Sequence, residues 1–193
     1  MNTFILKIIF VLFMVGTYLI RSPHERRNKQ NKIADDQKTP MEKLLLGVVS
    51  LGMMLLPTLY VLTPFLSFAD YEPLLAINLV GIGVLLFSLW IFYRSHRDLG
   101  KNWSVSLEIR EEHTLVTEGI YRKIRHPMYT AIWLWVIGQA LILPNYLAGF
   151  SGIITFGLLY FLRVGKEEEM MIQQFGKAYE VYKNSTNRLI PKF

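Results

Sequence analysis

The sequence predicts an all-α integral membrane protein with about five transmembrane helices, including a short helical hairpin, plus a C-terminal amphipathic helix. Two observations carry this. Hydrophobic residues make up 52% of the 193, and they cluster in blocks of roughly 15–25, near the length that crosses a hydrocarbon core about 30 Å thick. The basic residues alternate with those blocks. Of the 21 Lys and Arg, seven lie in Arg21–Lys43, seven in Arg94–Arg125 and six in Arg163–Lys192, with Lys7 left over. The connections Pro64–Pro73 and Pro144–Tyr146 hold none. That is the positive-inside pattern of a multi-pass protein.

The elements follow in order. The first helix spans about Thr3–Ile20; no small-x-small site precedes Arg21, so it reads as an uncleaved membrane helix rather than a signal peptide. Arg21–Lys43 reads as a mobile cytosolic loop. The second apolar block, Leu44–Leu66, holds Pro57, and a kink is expected there because proline removes one backbone donor. The third, about Leu74–Tyr93, carries Gly81 and Gly83, which permit close helix approach. Arg94–His126 is the longest polar segment. Pro127–Leu143 and Leu147–Leu162 then form two short helices around the turn Pro144-Asn145. Beyond Arg163, the stripe Met171, Phe175, Tyr179, Tyr182 suits an amphipathic helix against the membrane surface or the bundle. Residues 1–93 are expected to hold three spans and the basic loop (21–43), residues 94–193 the catalytic region, within one integrated membrane domain.

Five spans put the N-terminus outside and all three basic segments, with the C-terminus, on the cytosolic side. The formal charge of +6 is thereby assigned to anionic lipid headgroups rather than nucleic acid. The absence of cysteine excludes disulfides, thiolate metal sites and cysteine nucleophiles. His24, His96, His113 and His126 have no close ligand spacing, so no metal is expected.

Three stretches could carry chemistry. In YRKIRHPMY, Pro127 suits the first turn of a helix and His126 its cap, beside the positive end of the helix dipole. With Tyr129 this makes a seat for a ligand having a carboxylate and an aromatic base; equally, Arg-His-Pro could simply start a helix and snorkel to headgroups. In LRVGKEEE, Arg163 and Glu167 share a face if the helix continues through Gly165, a pair worth only about 0.2–0.5 kcal/mol on its own. In HTLVTEGIY, His113–Val116 alternates like a short extended segment and Glu118-Gly119 reads as a turn, which by itself is a weak signal.

Taken in order, HTLVTEGIY, RHPMY, and R-x-x-x-E-E-E followed by FG-x-x-Y-x-x-Y resemble the isoprenylcysteine carboxyl methyltransferase family and the related phospholipid N-methyltransferases. The similarity covers about Asp98 to Pro191 and is closest to the small prokaryotic members with five spans. The resemblance implies S-adenosylmethionine as cofactor, contacted by His113, Thr114, Leu115, Val116, Tyr121, His126, Pro127, Met128, Tyr129 and Glu167. It implies that Arg163 contacts the substrate, with Arg163 and Glu167 as the catalytic pair. Ser106 stands where animal members have a glutamine, and Met128 replaces a small residue often found within His-Pro-x-Tyr.

The implied activity is methyl transfer to the carboxylate of a lipidated cysteine or similar lipophilic acceptor. The alternatives are N-methylation of an aminolipid headgroup, a membrane scaffold or small transporter without catalysis, and reductase chemistry with a nicotinamide cofactor. A carboxylate acceptor is already ionised, since such groups titrate near 4, so it needs positioning rather than a general base. An amine would need Glu167 or Glu168 to take its proton.

Overall fold

The computed structural model describes residues 1–28, 33–36, 39–100, 108–110 and 114–192. His113 and Ser106 lie outside the described residues. Among the described residues, seven α-helices dominate: α1 (Thr3–Asn28), α2 (Pro40–Ser50), α3 (Leu56–Leu62), α4 (Leu75–Leu99), α5 (Pro127–Ile142), α6 (Tyr146–Phe175) and α7 (Lys177–Ser185). A π-helical turn at Leu51–Leu55 joins α2 to α3. Two short strands, β1 (Ile33–Asp36) and β2 (Glu108–Arg110), pair antiparallel and tie the first basic segment to the second.

Among the described residues, four helices are long and apolar enough to cross a membrane: Thr3–Arg26, Pro40–Leu62, Leu75–Leu99 and Tyr146–Phe175. With the shorter apolar α5, they form the bundle of a multi-pass integral membrane protein. Phe4, Leu62, Ile154 and Phe161 are among the large apolar side chains on its outside, as a lipid-facing surface requires. At 16 residues, α5 reaches only about 24 Å, and it is the best packed of the five.

Several boundaries differ from the sequence expectation. The first helix does not stop at Ile20 but runs through Pro23 to Asn28, so Arg21, His24 and Glu25 are helical rather than in a loop. The third runs past Tyr93 to Leu99, carrying Arg94, His96 and Asp98. The hairpin is short on one arm only: α6 continues through Gly165 to Phe175, because nothing in Arg163–Phe175 breaks a helix until Gly176, whose φ is +54°. The expected amphipathic helix is therefore divided, and its second half, α7, buries Tyr179 and Tyr182 against the bundle.

The kink expected at Pro57 takes the form of the π turn. The Leu56 N–H bonds back five residues to Leu51 O. The next bond in that register would come from Pro57, which has no N–H, leaving Gly52 O without a helical donor. Gln139 Nε2 (3.1 Å) and Ser151 Oγ (2.7 Å) donate to it instead. These bonds clip the broken helix to α5 and α6.

The α4–α5 contact is close at Gly81, where a Cβ would stand 2.8 Å from Leu141 Cβ; Gly83, by contrast, faces open space and makes no such approach. Ser88 Oγ donates to Ala131 O (2.8 Å) and Asn78 Nδ2 to Leu141 O (3.0 Å), fixing the two helices along their length. At the end remote from the basic segments, the buried Asn145 caps α6 and bonds Leu66 O and Asp70.

Candidate active site

All three basic segments meet at one end of the bundle. There the C-terminal tail laces onto the mouth of α5: Arg125 N–H donates to Asn187 O and His126 N–H to Arg188 O, both at 3.0 Å. The His126 backbone N–H is thus committed to the tail and is not available to a ligand. Its ring is 7% exposed, with Nε2 3.3 Å from Glu168 Oε1 and Nδ1 3.7 Å from Glu167 Oε1.

Glu168 is the electrostatic centre of this end. It is 2% exposed, and an isolated carboxylate buried so deeply would be very costly. Arg125 Nε donates to its Oε1 at 2.7 Å; Arg188 donates to both oxygens, at 3.0 and 2.7 Å. Arg125 also donates to the carbonyls of Lys183 and Thr186. One carboxylate therefore binds α6, the loop before α5, and the tail together.

Glu167, the next residue, points elsewhere. The Tyr129 hydroxyl donates to its Oε2 at 2.5 Å, in the range for a hydroxyl donating to a carboxylate. Arg163 Nε lies 3.8 Å from the same oxygen, so α6 does present both side chains on one face. Arg163 Nη2 also lies 3.6 Å from Glu42 Oε1, a buried carboxylate from the first turn of α2.

The segment before α5 is anchored at Gly119. Its φ is +60°, and a Cβ there would stand 2.3 Å from Asp98 Oδ2, which accepts the Ile120 N–H at 2.9 Å. That turn delivers Tyr121, whose carbonyl accepts the Tyr182 hydroxyl at 2.6 Å. Burial pushes both phenols up from their ordinary range, so both remain neutral.

One cavity of about 650 Å³ opens among these groups, a volume typical of small-molecule sites. Thr114, Leu115, Val116 and Tyr121 line one part of it, and His126, Pro127, Met128 and Tyr129 another. Arg163 and Glu167 complete its polar region. Every described residue singled out for the cofactor or substrate thus borders the same space. Its apolar walls come from both halves of the chain, among them Met14, Met53, Ile132, Trp135 and Phe156.

Sequence reasoning missed Glu42, Arg125 and Arg188 as site residues, and gave Glu168 only the part of a proton acceptor, with Glu167, for an amine substrate. A signal for Glu168 was present: Phe156, Tyr160 and Val164 are buried at intervals of four, and the next position on that stripe is 168. For Glu42 the signal was Thr39-Pro40-Met41-Glu42, which spells a helix start but gives no reason for burial.

The sequence profile of the isoprenylcysteine carboxyl methyltransferase (ICMT) family matches residues 75–173, just over half the chain. The protein-S-isoprenylcysteine O-methyltransferase of Dictyostelium discoideum is 39% identical over 98 residues, covering 48% of this chain and 40% of that protein. The Homo sapiens enzyme of the same name is 30% identical over 117 residues, covering 60% of this chain and 41% of that one. The chain spans less than half the length of these relatives. The solved structure of a eukaryotic intramembrane Ras methyltransferase, ICMT, superposes with a TM-score of 0.54 at 23% identity, over 82% of this chain and 54% of that one; at that identity the likeness speaks to the fold.

Proposed function

We infer that this chain, which belongs to the isoprenylcysteine carboxyl methyltransferase family, methylates the carboxylate of a lipidated cysteine or similar lipophilic acid, with S-adenosylmethionine as donor. The observation that carries this reading is the single cavity shared by Thr114–Val116, His126–Tyr129, Arg163 and Glu167. It has a charged end and an apolar interior within the bundle, as a water-soluble donor and a lipid-borne acceptor together require.

The residues suit that donor. Leu115, Val116 and the Tyr121 ring offer apolar surface to a base, while Glu167, held by Tyr129, offers a carboxylate to an ammonium or a ribose hydroxyl. The donor supplies an electrophilic methyl group. Arg163 grips the acceptor carboxylate, for which a guanidinium is well shaped. No proton has to be removed, so holding the acceptor in line and excluding water is the work of the site, and orientation of that kind is worth up to about 7–11 kcal/mol. His126 acts through its contacts with the two glutamates and sets the floor of the pocket. Following the positive-inside distribution, the site faces the cytosol and the N-terminus lies outside.

The test is to incubate membranes containing the protein with methyl-labelled S-adenosylmethionine and an S-farnesylated N-acetylcysteine. Label released from the lipid product by mild base indicates an ester and agrees with the reading. Label on an aminolipid that survives base means N-methylation, and no lipid-borne label removes the enzymatic reading for these acceptors.

A further inference from the structure

Glu42 precedes the stretch matched by the family profile, which begins at residue 75. It occupies the third position of α2, where Thr39 Oγ1 accepts its backbone N–H at 3.2 Å. A glutamate there is expected of a helix cap, but a capping glutamate has no need of burial, and Glu42 is 4% exposed. Its carboxylate turns inward, with Oε1 3.6 Å from Arg163 Nη2. Removing such a group from water is costly unless it meets an opposite charge, and Arg163, whose side chain is only 10% exposed, supplies one.

Arg163 is consequently drawn from two sides. Its Nη2 edge faces Glu42 on α2, and its Nε faces Glu167 one turn along its own helix, at 3.8 Å. Arg163 and Glu167 border the cavity, whereas Glu42 does not. Glu42 thus meets the cavity through the Arg163 guanidinium.

We propose that Glu42 is a positioning residue for the methyl acceptor, holding the Arg163 guanidinium across towards α2 and out of a closed pair with Glu167, in the attitude that receives a carboxylate. This rests on the acceptor reading given above. Two consequences of losing the Glu42 charge oppose each other. Arg163, short of one counter-charge in a desolvated place, would fold onto Glu167 and leave the acceptor position. Against that, removal of a nearby anion would by itself favour an anionic acceptor. The proposal requires the first to win, and the sign of the effect decides it.

The experiment uses the full chain in phosphatidylcholine nanodiscs and measures binding of S-farnesylated N-acetylcysteine and of its primary amide, without donor. Wild type should prefer the carboxylate. Glu42→Gln should weaken carboxylate binding about tenfold, less than the loss of a direct partner in a buried charged contact because Glu42 acts through Arg163, while the neutral amide, which does not call on the guanidinium's charge, stays within about twofold. Glu42→Asp, which keeps the charge but is one methylene shorter, should fall between. A purely structural role would weaken the carboxylate and the amide together. Carboxylate affinity in Glu42→Gln equal to or tighter than wild type overturns the proposal, as does parallel weakening of carboxylate and amide. If Glu42→Gln does not fold, Glu42→Asp decides, and an unchanged preference overturns it. A wild type that fails to prefer the carboxylate instead refutes the reading of Arg163 as the acceptor's grip, and the proposal falls with it.

Discussion

Arg125 and Glu168 are 43 residues apart in sequence and 2.7 Å apart in space, with side chains 9% and 3% exposed. A buried ion pair of this kind is weak evidence for stability by itself, but leaving one member alone is destabilising. Because the same carboxylate also holds His126 and Arg188, its role is to lock the mouth of α5, the end of α6 and the tail into one arrangement.

Removing the Glu168 charge should therefore unfold the polar end. Glu168→Ala is expected to cost about 3–5 kcal/mol, read as a lower unfolding temperature in lipid, with loss of ligand binding. Replacing both members with apolar residues, Arg125→Met with Glu168→Leu, should cost less than Glu168→Ala alone. Equal or greater loss in the double variant would mean that the other contacts of Arg125 dominate.

Gly119 is the hinge that sets Tyr121. Gly119→Ala places a methyl group into Asp98 at a positive φ, and strain in that region costs roughly 1–3 kcal/mol. The expected result is weaker binding of S-adenosylhomocysteine with a small fall in unfolding temperature. Unchanged binding would show that the anchor at Asp98 does not shape the cavity.

The kinked second span, whose Met53 walls the cavity, gives a further prediction. A Cβ at Gly52 would lie 2.2 Å from Thr155 Oγ1 and 2.7 Å from Ser151 O, one of them backbone, so Gly52→Ala must push α6 away. Gln139→Leu removes donors from Gly52 O and Ala148 O, an omission worth about 1–3 kcal/mol where the carbonyl finds no substitute. Both variants should lower the unfolding temperature, and Gly52→Ala, which displaces the helix that carries Arg163 and Glu167, should also weaken ligand binding.

Tyr129→Phe keeps the ring against His126, Phe156 and Tyr160 but frees Glu167. Hydrogen bonds to charged groups contribute about 1.5–3 kcal/mol, so kcat/KM should fall roughly ten- to hundredfold with little change in unfolding temperature. A variant as active as wild type would remove Tyr129 and Glu167 as a working pair.

Much of this was legible in the sequence, for stated reasons. Apolar blocks report spans directly, because the hydrocarbon thickness fixes their length. The positive-inside rule brought distant basic segments to one end, where Tyr121, His126 and Arg163 do meet around a cavity. Helix ends were less legible. Polarity marks the ends of the apolar blocks at Ile20 and Tyr93, yet a helix leaving an apolar slab can continue into polar surroundings, as α1 and α4 both do. Glu42 was illegible for a different reason: its position in a helix start is fully explained by capping, and only tertiary packing reveals that its carboxylate turns inward.

The central claim is that the cavity around Arg163, Glu167 and His126 holds S-adenosylmethionine. Titrating the purified full chain with S-adenosylhomocysteine by calorimetry tests it most directly. Wild type should bind it saturably, with affinity weakened about tenfold or more in Glu167→Ala, where a charged contact is lost, and weakened also in His126→Ala. No heat of binding in the wild type, or an affinity that Glu167→Ala leaves untouched, would contradict the claim.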